Sequence, residues 1–325
     1  MALRSNIGMN IVFLDEDTVV LKGDVDLSGL RGLGEYAAYE LAPGDDPLPF
    51  CGDAEVIIVN KVRLTRERME KLPNLKLICE AATGYDNIDI GAARELGIRV
   101  SNVAGYAKTA VVQHVFAMIL SFTTKIFEYN RDVRAGEWQK SKTFDLLKYH
   151  TFELSGLILG IIGFGSIGRG IAGVGEAFGM EVMVHDVVDI ESTGYTNFGL
   201  DEVLTRADVV SIMCPLTDQT RNLINAKALK RMKPSAILIN TARGGIVNEQ
   251  DLADALNQGV IAGAGVDTLS KEPPKDGNPL LGEVKNLLLT PHSAWSTRNA
   301  RQRLMDIVKE KIERYRVGDF EGFIV

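Results

Sequence analysis

The residues in this 325-residue chain whose types and spacing could do chemistry sit at the ends of apolar runs. Gly163-Phe164-Gly165-Ser166-Ile167-Gly168 follows the run LILGII and opens a helical stretch, Arg169–Phe178. A GxGxxG string between a strand and a helix is a dinucleotide-binding fingerprint. Gly163 permits the tight turn, Gly165 lets a pyrophosphate approach the backbone, and Gly168 lets helix and strand pack closely. The helix N-terminus then offers unpaired N–H groups to negative charge. Asp186 closes the next apolar run, EVMVH, 18 residues beyond Gly168. An acid there takes the ribose hydroxyls of NAD(H) and repels a 2′-phosphate. Val187 and Val188 follow, where an Arg would be needed to bind that phosphate, so NAD(H) is expected over NADP(H).

The acid–base candidates emerge by elimination among four histidines. His114 sits inside an apolar helical stretch and reads as a core residue with a satisfied ring. His150 lies in a connection, and His185 alternates away from Asp186 on its strand. His292 follows the apolar run NLLLT and Pro291. That places it at the C-terminal end of a parallel strand, where ligands bind in open α/β sheets. Arg243 follows AILINTA in the same way and leads into Gly244-Gly245, which are expected to let a cofactor or substrate near the backbone. Glu272 lies in the loop after GAGVD, before Pro273-Pro274. Together the three supply an anion receptor, an acid/base and a carboxylate that favours the charged imidazole.

The elements that must position these residues read as two α/β series. Asn10–Leu14, Ala54–Val59 and Leu75–Cys79 are short apolar runs of the kind that form buried parallel strands, with a helix over Thr65–Leu72 capped by Thr65. Lys108 to Arg134 contains no Gly or Pro and reads as one helix, apolar around most of its first half. Such a helix is buried, at a domain junction and at a subunit interface. Six further strands follow at Leu157–Gly163, Glu181–His185, Asp208–Met213, Ala236–Asn240, Gly263–Val266 and Asn286–Thr290, matching a doubly wound six-stranded sheet. Thr297 to Val317 reads as an amphipathic helix free to pack back on the first series.

Composition bounds the alternatives. A net charge of −7 argues against nucleic acid and anionic membrane as partners. No uncharged apolar run is long enough to span a bilayer, and the first residues, MALRSNIGMNIVFLDED, do not read as a signal peptide. Cys51, Cys79 and Cys214 lack paired metal-ligand spacing, and no His/Asp/Glu spacing supports a metal. Reduced core thiols in a cytoplasmic protein are expected.

NTARGGIVNEQDL, GVDTLSKEPP and TPHSAW resemble the signature blocks of the D-isomer-specific 2-hydroxyacid dehydrogenases, with Arg, Glu and His in the family's order and a 29-residue step from Arg243 to Glu272. ATGYDNID at 82–89 resembles the family's substrate-carboxylate loop, although many relatives carry glycine at the position of Ala82. RAGEWQ, EPPKDGNPLL and PHSAWSTRNARQRL look most like hydroxypyruvate reductases (glycerate dehydrogenases).

The resemblance, with the strand count, implies two Rossmann-like/flavodoxin-like α/β domains with parallel sheets. The cofactor domain, residues 105–295, would be inserted in a discontinuous substrate domain, residues 1–104 and 296–325. It implies reduction of a small 2-oxo acid, with its carboxylate on Arg243 and the N–H groups of Thr83 and Gly84 and with protonated His292 as the acid. Ser166 and Ile167 would meet the pyrophosphate, Cys214 and Pro215 would lie along the adenosine, Thr241 would lie near the nicotinamide ribose, and Asp267 would face the amide. Tyr106 and Trp295 line the substrate pocket or simply pack. Trp138 reaches a partner's active site or packs at an interface. A homodimer through the region of Lys108–Arg134 is expected. Three functions stay open: a hydroxypyruvate or glyoxylate reductase, the same chemistry on another acid (pyruvate/D-lactate, branched-chain, 3-phosphoglycerate), and a non-enzymatic NAD-sensing scaffold of the co-repressor type.

Overall fold

A computed structural model describes residues 8–325. The signal-peptide reading rests partly on residues 1–7, which lie outside the described residues. The chain divides into two compact units, Met1–Ala107 with Ser296–Val325, and Lys108–Trp295.

The first unit carries five parallel strands: β1 (Met9–Phe13), β2 (Gly34–Ala38), β3 (Val56–Val59), β4 (Leu77–Glu80) and β5 (Arg99–Ser101), in the order β2-β1-β3-β4-β5. Every residue of β3 and β4 is buried, and all of them but the closing Glu80 are apolar, which is why both stand out as apolar runs. β2 escapes sequence reading because it is an edge strand with no buried residue, and β5 because it has three residues. Thr65 stands before the helix Arg66–Glu70 with extended backbone, but its side chain makes no capping hydrogen bond. The helix Arg298–Arg316 belongs to this unit and is capped by Thr297, which accepts from the Ala300 N–H. Arg301 on its first turn is buried and grips Asp24 with both Nη atoms, at 2.7 and 2.6 Å. This pairing holds the Asp24 carboxyl at about 2, below the usual carboxylate range.

The second unit carries six parallel strands: β6 (Ile158–Ile162), β7 (Glu181–His185), β8 (Val209–Ile212), β9 (Ile237–Asn240), β10 (Gly263–Val266) and β11 (Leu287–Leu289). All six expected strands are present, each within its expected span. Their order is β11-β10-β9-β8-β6-β7, so in the unit's own count the sheet runs 2-1-3-4-5-6 rather than the 3-2-1-4-5-6 of the Rossmann sheet. The order reverses at β6, and the carboxyl ends of β6 and β8 make the switch-point crevice where such sheets bind ligands.

The helix read over Lys108 to Arg134 is two helices, Lys108–Thr124 and Ile126–Arg134, bent by 58° at Lys125, whose φ is +54°. Ser121 Oγ and Thr124 Oγ1 donate back to the carbonyls of Ala117 and Leu120, at 2.6 Å each. Such back-bonding competes with the helix ladder and bends it. Much of the apolar circumference of the first helix is buried, and within its own unit Met118 lies against Gly265 and Phe122 against Gly263. The exposed apolar side chains lie further on, at Ile126, Phe127, Trp138, Phe144 and Leu147, the last two 89% exposed.

Candidate active site

The glycine loop is built by contacts that exclude side chains. Gly163 has φ +98°, and a Cβ there would lie 2.4 Å from the Cys214 backbone nitrogen. A Cβ on Gly168 would lie 2.4 Å from the Gly163 carbonyl oxygen, so helix and strand meet as closely as expected. A Cβ on Gly165 would meet nothing within 4 Å, which leaves open space beside the backbone. The helix starts at Ser166, three residues earlier than the sequence suggested, so Ser166, Ile167 and Gly168 form its first turn and present N–H groups to that space. Asp186 is half-buried after β7; its Oδ2 accepts from the Phe164 N–H at 2.5 Å. Thr241 is buried at the end of β9 with its hydroxyl unpartnered among the described residues. An open cradle at a helix N-terminus, an acid at the neighbouring strand end and an orphan hydroxyl fit a dinucleotide. Cys214 and Pro215 follow β8, where burial pushes the Cys214 thiol up to about 11.

His292 follows β11 with φ +52°, a region a non-glycine residue enters only when its surroundings impose it. Asp267, at the end of β10 and 1% exposed, imposes it. Its backbone carbonyl accepts from the His292 N–H at 2.7 Å. Its carboxylate accepts from Thr290 Oγ1 at 2.5 Å and from the N–H groups of Ser293 and Ala294 at 2.8 and 2.9 Å. Thr290 spends its proton on Asp267, so His114 Nε2, 3.1 Å from Thr290 Oγ1, must be the donor of that pair. His114 thus has a satisfied ring, as expected, but it is part-buried rather than a core residue. Asp267, expected to face the nicotinamide amide, here holds the loop that carries His292.

Glu272 and His292 meet. Glu272 Oε2 lies 2.6 Å from His292 Nδ1, and Oε1 accepts from the Leu269 N–H at 2.8 Å. The second hydrogen bond orients the carboxylate, and the first assigns the proton to Nδ1. Nε2 is left without a protein partner among the described residues. A cavity of about 400 Å³, bordered by Leu281, Leu289, Pro273 and Pro274, adjoins the pair. Arg243 is exposed after β9, and Nη1 donates to the Ala242 carbonyl at 2.7 Å. Among the described residues it pairs with no carboxylate, so its guanidinium fork keeps donors for an external anion.

Gly244 departs from expectation. It was read as room for a ligand, but a Cβ there would lie 1.9 Å from the Leu269 carbonyl carbon. The Arg243 loop and the Glu272 loop are therefore packed backbone to backbone. Gly245 serves its turn, at φ +77°. Glu249 was not singled out from the sequence. Its carboxylate accepts from the Ser270 N–H and Oγ and from Asn278 Nδ2, at 2.6, 2.7 and 2.7 Å, clamping the Glu272 loop. Its only sequence signal was an acid in the first turn of a helix after Asn248, and Asn248 does cap that helix.

In the first unit, Thr83 Oγ1 donates to the Val103 carbonyl at 2.9 Å, and Asn102 Nδ2 donates to the Thr83 carbonyl at 2.7 Å. Gly84 is half-exposed. Tyr106 is buried, and its carbonyl accepts from Arg303 Nε at 3.0 Å. In the second unit Trp295 is half-buried, and Trp138 is half-exposed with Nε1 donating to the Phe144 carbonyl at 2.9 Å.

A histidine with its carboxylate partner and an arginine, at strand ends of a sheet that also carries a dinucleotide cradle, belongs to a nicotinamide-dependent dehydrogenase. Residues 116–294 match the NAD-binding domain of the D-isomer specific 2-hydroxyacid dehydrogenases. The chain is 40% identical over 310 residues to a glycerate dehydrogenase of Methylorubrum extorquens, covering 95% of this chain and 96% of that one. It is 37% identical over 316 residues to a hydroxypyruvate reductase of Blautia hydrogenotrophica, covering 95% and 98%. A D-lactate dehydrogenase of Aquifex aeolicus, solved with NAD and lactic acid, superposes with a TM-score of 0.82 at 30% identity, covering 97% and 99%. The chain belongs to the D-isomer-specific 2-hydroxyacid dehydrogenase family and is an oxidoreductase acting on a CH–OH group.

Proposed function

We propose that this enzyme reduces hydroxypyruvate or glyoxylate to the D-2-hydroxy acid with NADH and catalyses the reverse reaction. The observation that carries the reading is the Glu272–His292 pair, 2.6 Å apart, with His292 Nε2 left for a reacting oxygen. The names of the relatives narrow the substrate to small 2-oxo acids.

Arg243 binds the substrate carboxylate through its fork, which matches a carboxylate bidentately. In the first unit the N–H groups of Thr83 and Gly84 are offered as carboxylate receptors, with Tyr106 as a pocket residue there, and in the second unit Trp295 takes the same role. A nicotinamide held by the glycine cradle would supply the hydride for C2. As negative charge develops on the carbonyl oxygen, His292 Nε2 donates a proton to it, and Glu272 steadies the imidazole through Nδ1. In oxidation the neutral imidazole takes the hydroxyl proton. Ser166 and Ile167 would hold the pyrophosphate, Asp186 the ribose, Cys214 and Pro215 the adenosine side, and Thr241 the nicotinamide end, while Asp267 acts there through the His292 loop that it holds. Val187 and Val188, exposed beside Asp186, offer no cation to a 2′-phosphate, which supports NAD(H) over NADP(H). A second copy of the chain covering Phe127, Trp138, Phe144 and Leu147 would make a homodimer, because apolar side chains this exposed mark association sites. Three free cysteines, Cys51 and Cys79 among them buried, support a reducing, cytoplasmic setting.

The test is NADH oxidation with hydroxypyruvate, glyoxylate, pyruvate, phosphohydroxypyruvate and a branched-chain oxo acid, with His292→Ala and Arg243→Ala as controls. Turnover led by the first two, and lost in both variants, is expected. Turnover led by another acid would keep the chemistry and overturn the substrate. NADH binding without turnover of any acid would favour the scaffold.

A further inference from the structure

The mechanism leaves two fully buried acids unused, Asp15 and Glu80, and Glu80 stands at the root of the loop that carries Thr83 and Gly84. Glu80 is the last residue of β4 and is 0% exposed. Its Oε2 accepts from Asn87 Nδ2 at 2.9 Å, while Oε1 has no partner among the described residues. Asn87 is itself anchored: Nδ2 also donates to the Val62 carbonyl at 3.2 Å, and its backbone carbonyl accepts from the Leu64 N–H at 2.9 Å. At the other end, the Ala81 N–H donates to the Val59 carbonyl at 2.7 Å. The six residues between Glu80 and Asn87 thus form a loop closed by a side chain from one end gripping the other. Burial is the main reason the Glu80 carboxyl is pushed up to about 9. The Asn87 hydrogen bond and Lys61, after β3, oppose this, while Asp15, after β1, and Asp86, in the loop, add to it. Asp15 is buried too and accepts from the N–H groups of Asn60, Lys61 and Val62.

We propose that Glu80 is a positioning residue for the substrate: its carboxyl clasps Asn87 and holds the 81–86 loop in the form that receives the substrate carboxylate. An ionised Glu80 sets an anion at the root of an anion-binding loop and repels that carboxylate. The inference rests on the reading of Thr83 and Gly84 as carboxylate receptors.

The experiment compares wild type, Glu80→Gln and Glu80→Ala in D-glycerate oxidation with NAD between pH 7 and 10, the direction that alkaline pH favours. Hydrogen exchange of residues 81–87 at pH 7 is read in parallel. Wild-type KM should climb about tenfold by pH 10, one unit above the pH at which Glu80 ionises, with kcat moving less than threefold. Glu80→Gln, a neutral isostere that still accepts from Asn87, should hold its pH 7 KM to pH 10. Glu80→Ala should raise KM at every pH and speed exchange across 81–87, which Glu80→Gln should not. KM rising in parallel in wild type and Glu80→Gln overturns the inference, as does unchanged loop exchange in Glu80→Ala. If wild type turns over no 2-hydroxy acid, the functional reading falls. Faster loop exchange confined to Glu80→Ala would still support the clasp, and unchanged exchange would overturn it.

Discussion

Replacing Gly244 with alanine tests whether the arginine and the acid–base pair act as one assembly. The added methyl would lie 1.9 Å from the Leu269 carbonyl carbon, 2.1 Å from its oxygen and 2.3 Å from the Ser270 nitrogen. Real side chains essentially never come within 3.0 Å, and all three atoms are backbone, so no rotamer change relieves the overlap. The loops must part by about an ångström. Overpacking of that kind costs about 1–3 kcal/mol of stability. Glu272 Oε1 is tied to the Leu269 N–H, so pushing Leu269 away drags the carboxylate from His292. A misplacement of about 1 Å in a catalytic constellation costs roughly 10²-fold in rate, or about 2.7 kcal/mol. Gly244→Ala should therefore lose about a hundredfold in kcat/KM for the best acid of the panel, with a lowered melting temperature and unchanged NADH affinity, because the Gly163–Gly168 cradle is untouched. Steady-state kinetics, thermal unfolding and NADH fluorescence titration read the three quantities. A variant within threefold of wild-type kcat/KM would refute the coupling of the two loops, whatever its stability.

Two further outcomes follow from the geometry. Folded Glu80 holds its proton up to about pH 9, whereas the unfolded chain releases it near 4.5, so the folded state binds more protons between these values and loses stability as pH rises through the window. Glu80→Gln lacks this loss, and its stability in urea should gain on wild type by up to ~1.4 kcal/mol per pH unit from pH 5 to 8; a difference independent of pH would contradict the neutral acid. For the cofactor, Asp186→Ser with Val187→Arg should move the ratio of kcat/KM for NADPH over NADH upward by at least tenfold, since it removes a repelling carboxylate and supplies a cation beside the ribose; an unchanged ratio would place the discrimination elsewhere.

The sequence by itself determined the strands that are buried on both faces, because parallel strands in that position are apolar along nearly their whole length, as Val56–Val59 is throughout and Ile237–Asn240 is up to its closing asparagine. It also exposed the cradle, since glycines at 163, 165 and 168 answer to one strand, one turn and one helix that are neighbours along the chain. The resemblance of its blocks placed Arg243, Glu272 and His292 in one family of chemistry. Edge strands such as Gly34–Ala38 stayed hidden because half-exposed backbone needs no apolar code. The break at Lys125 was written in Ser121 and Thr124, but hydroxyl back-bonding competes with a ladder that apolar periodicity alone does not weigh. Only the tertiary structure decided that Gly244 makes room for Leu269 rather than for a ligand, that Asp267 fixes the left-handed turn at His292, and that Glu249 and Glu80 clamp loops. Each of those facts joins residues that are far apart along the chain or face one another across a loop. Such contacts are set by how the strand ends come together, which no local pattern of residue types encodes.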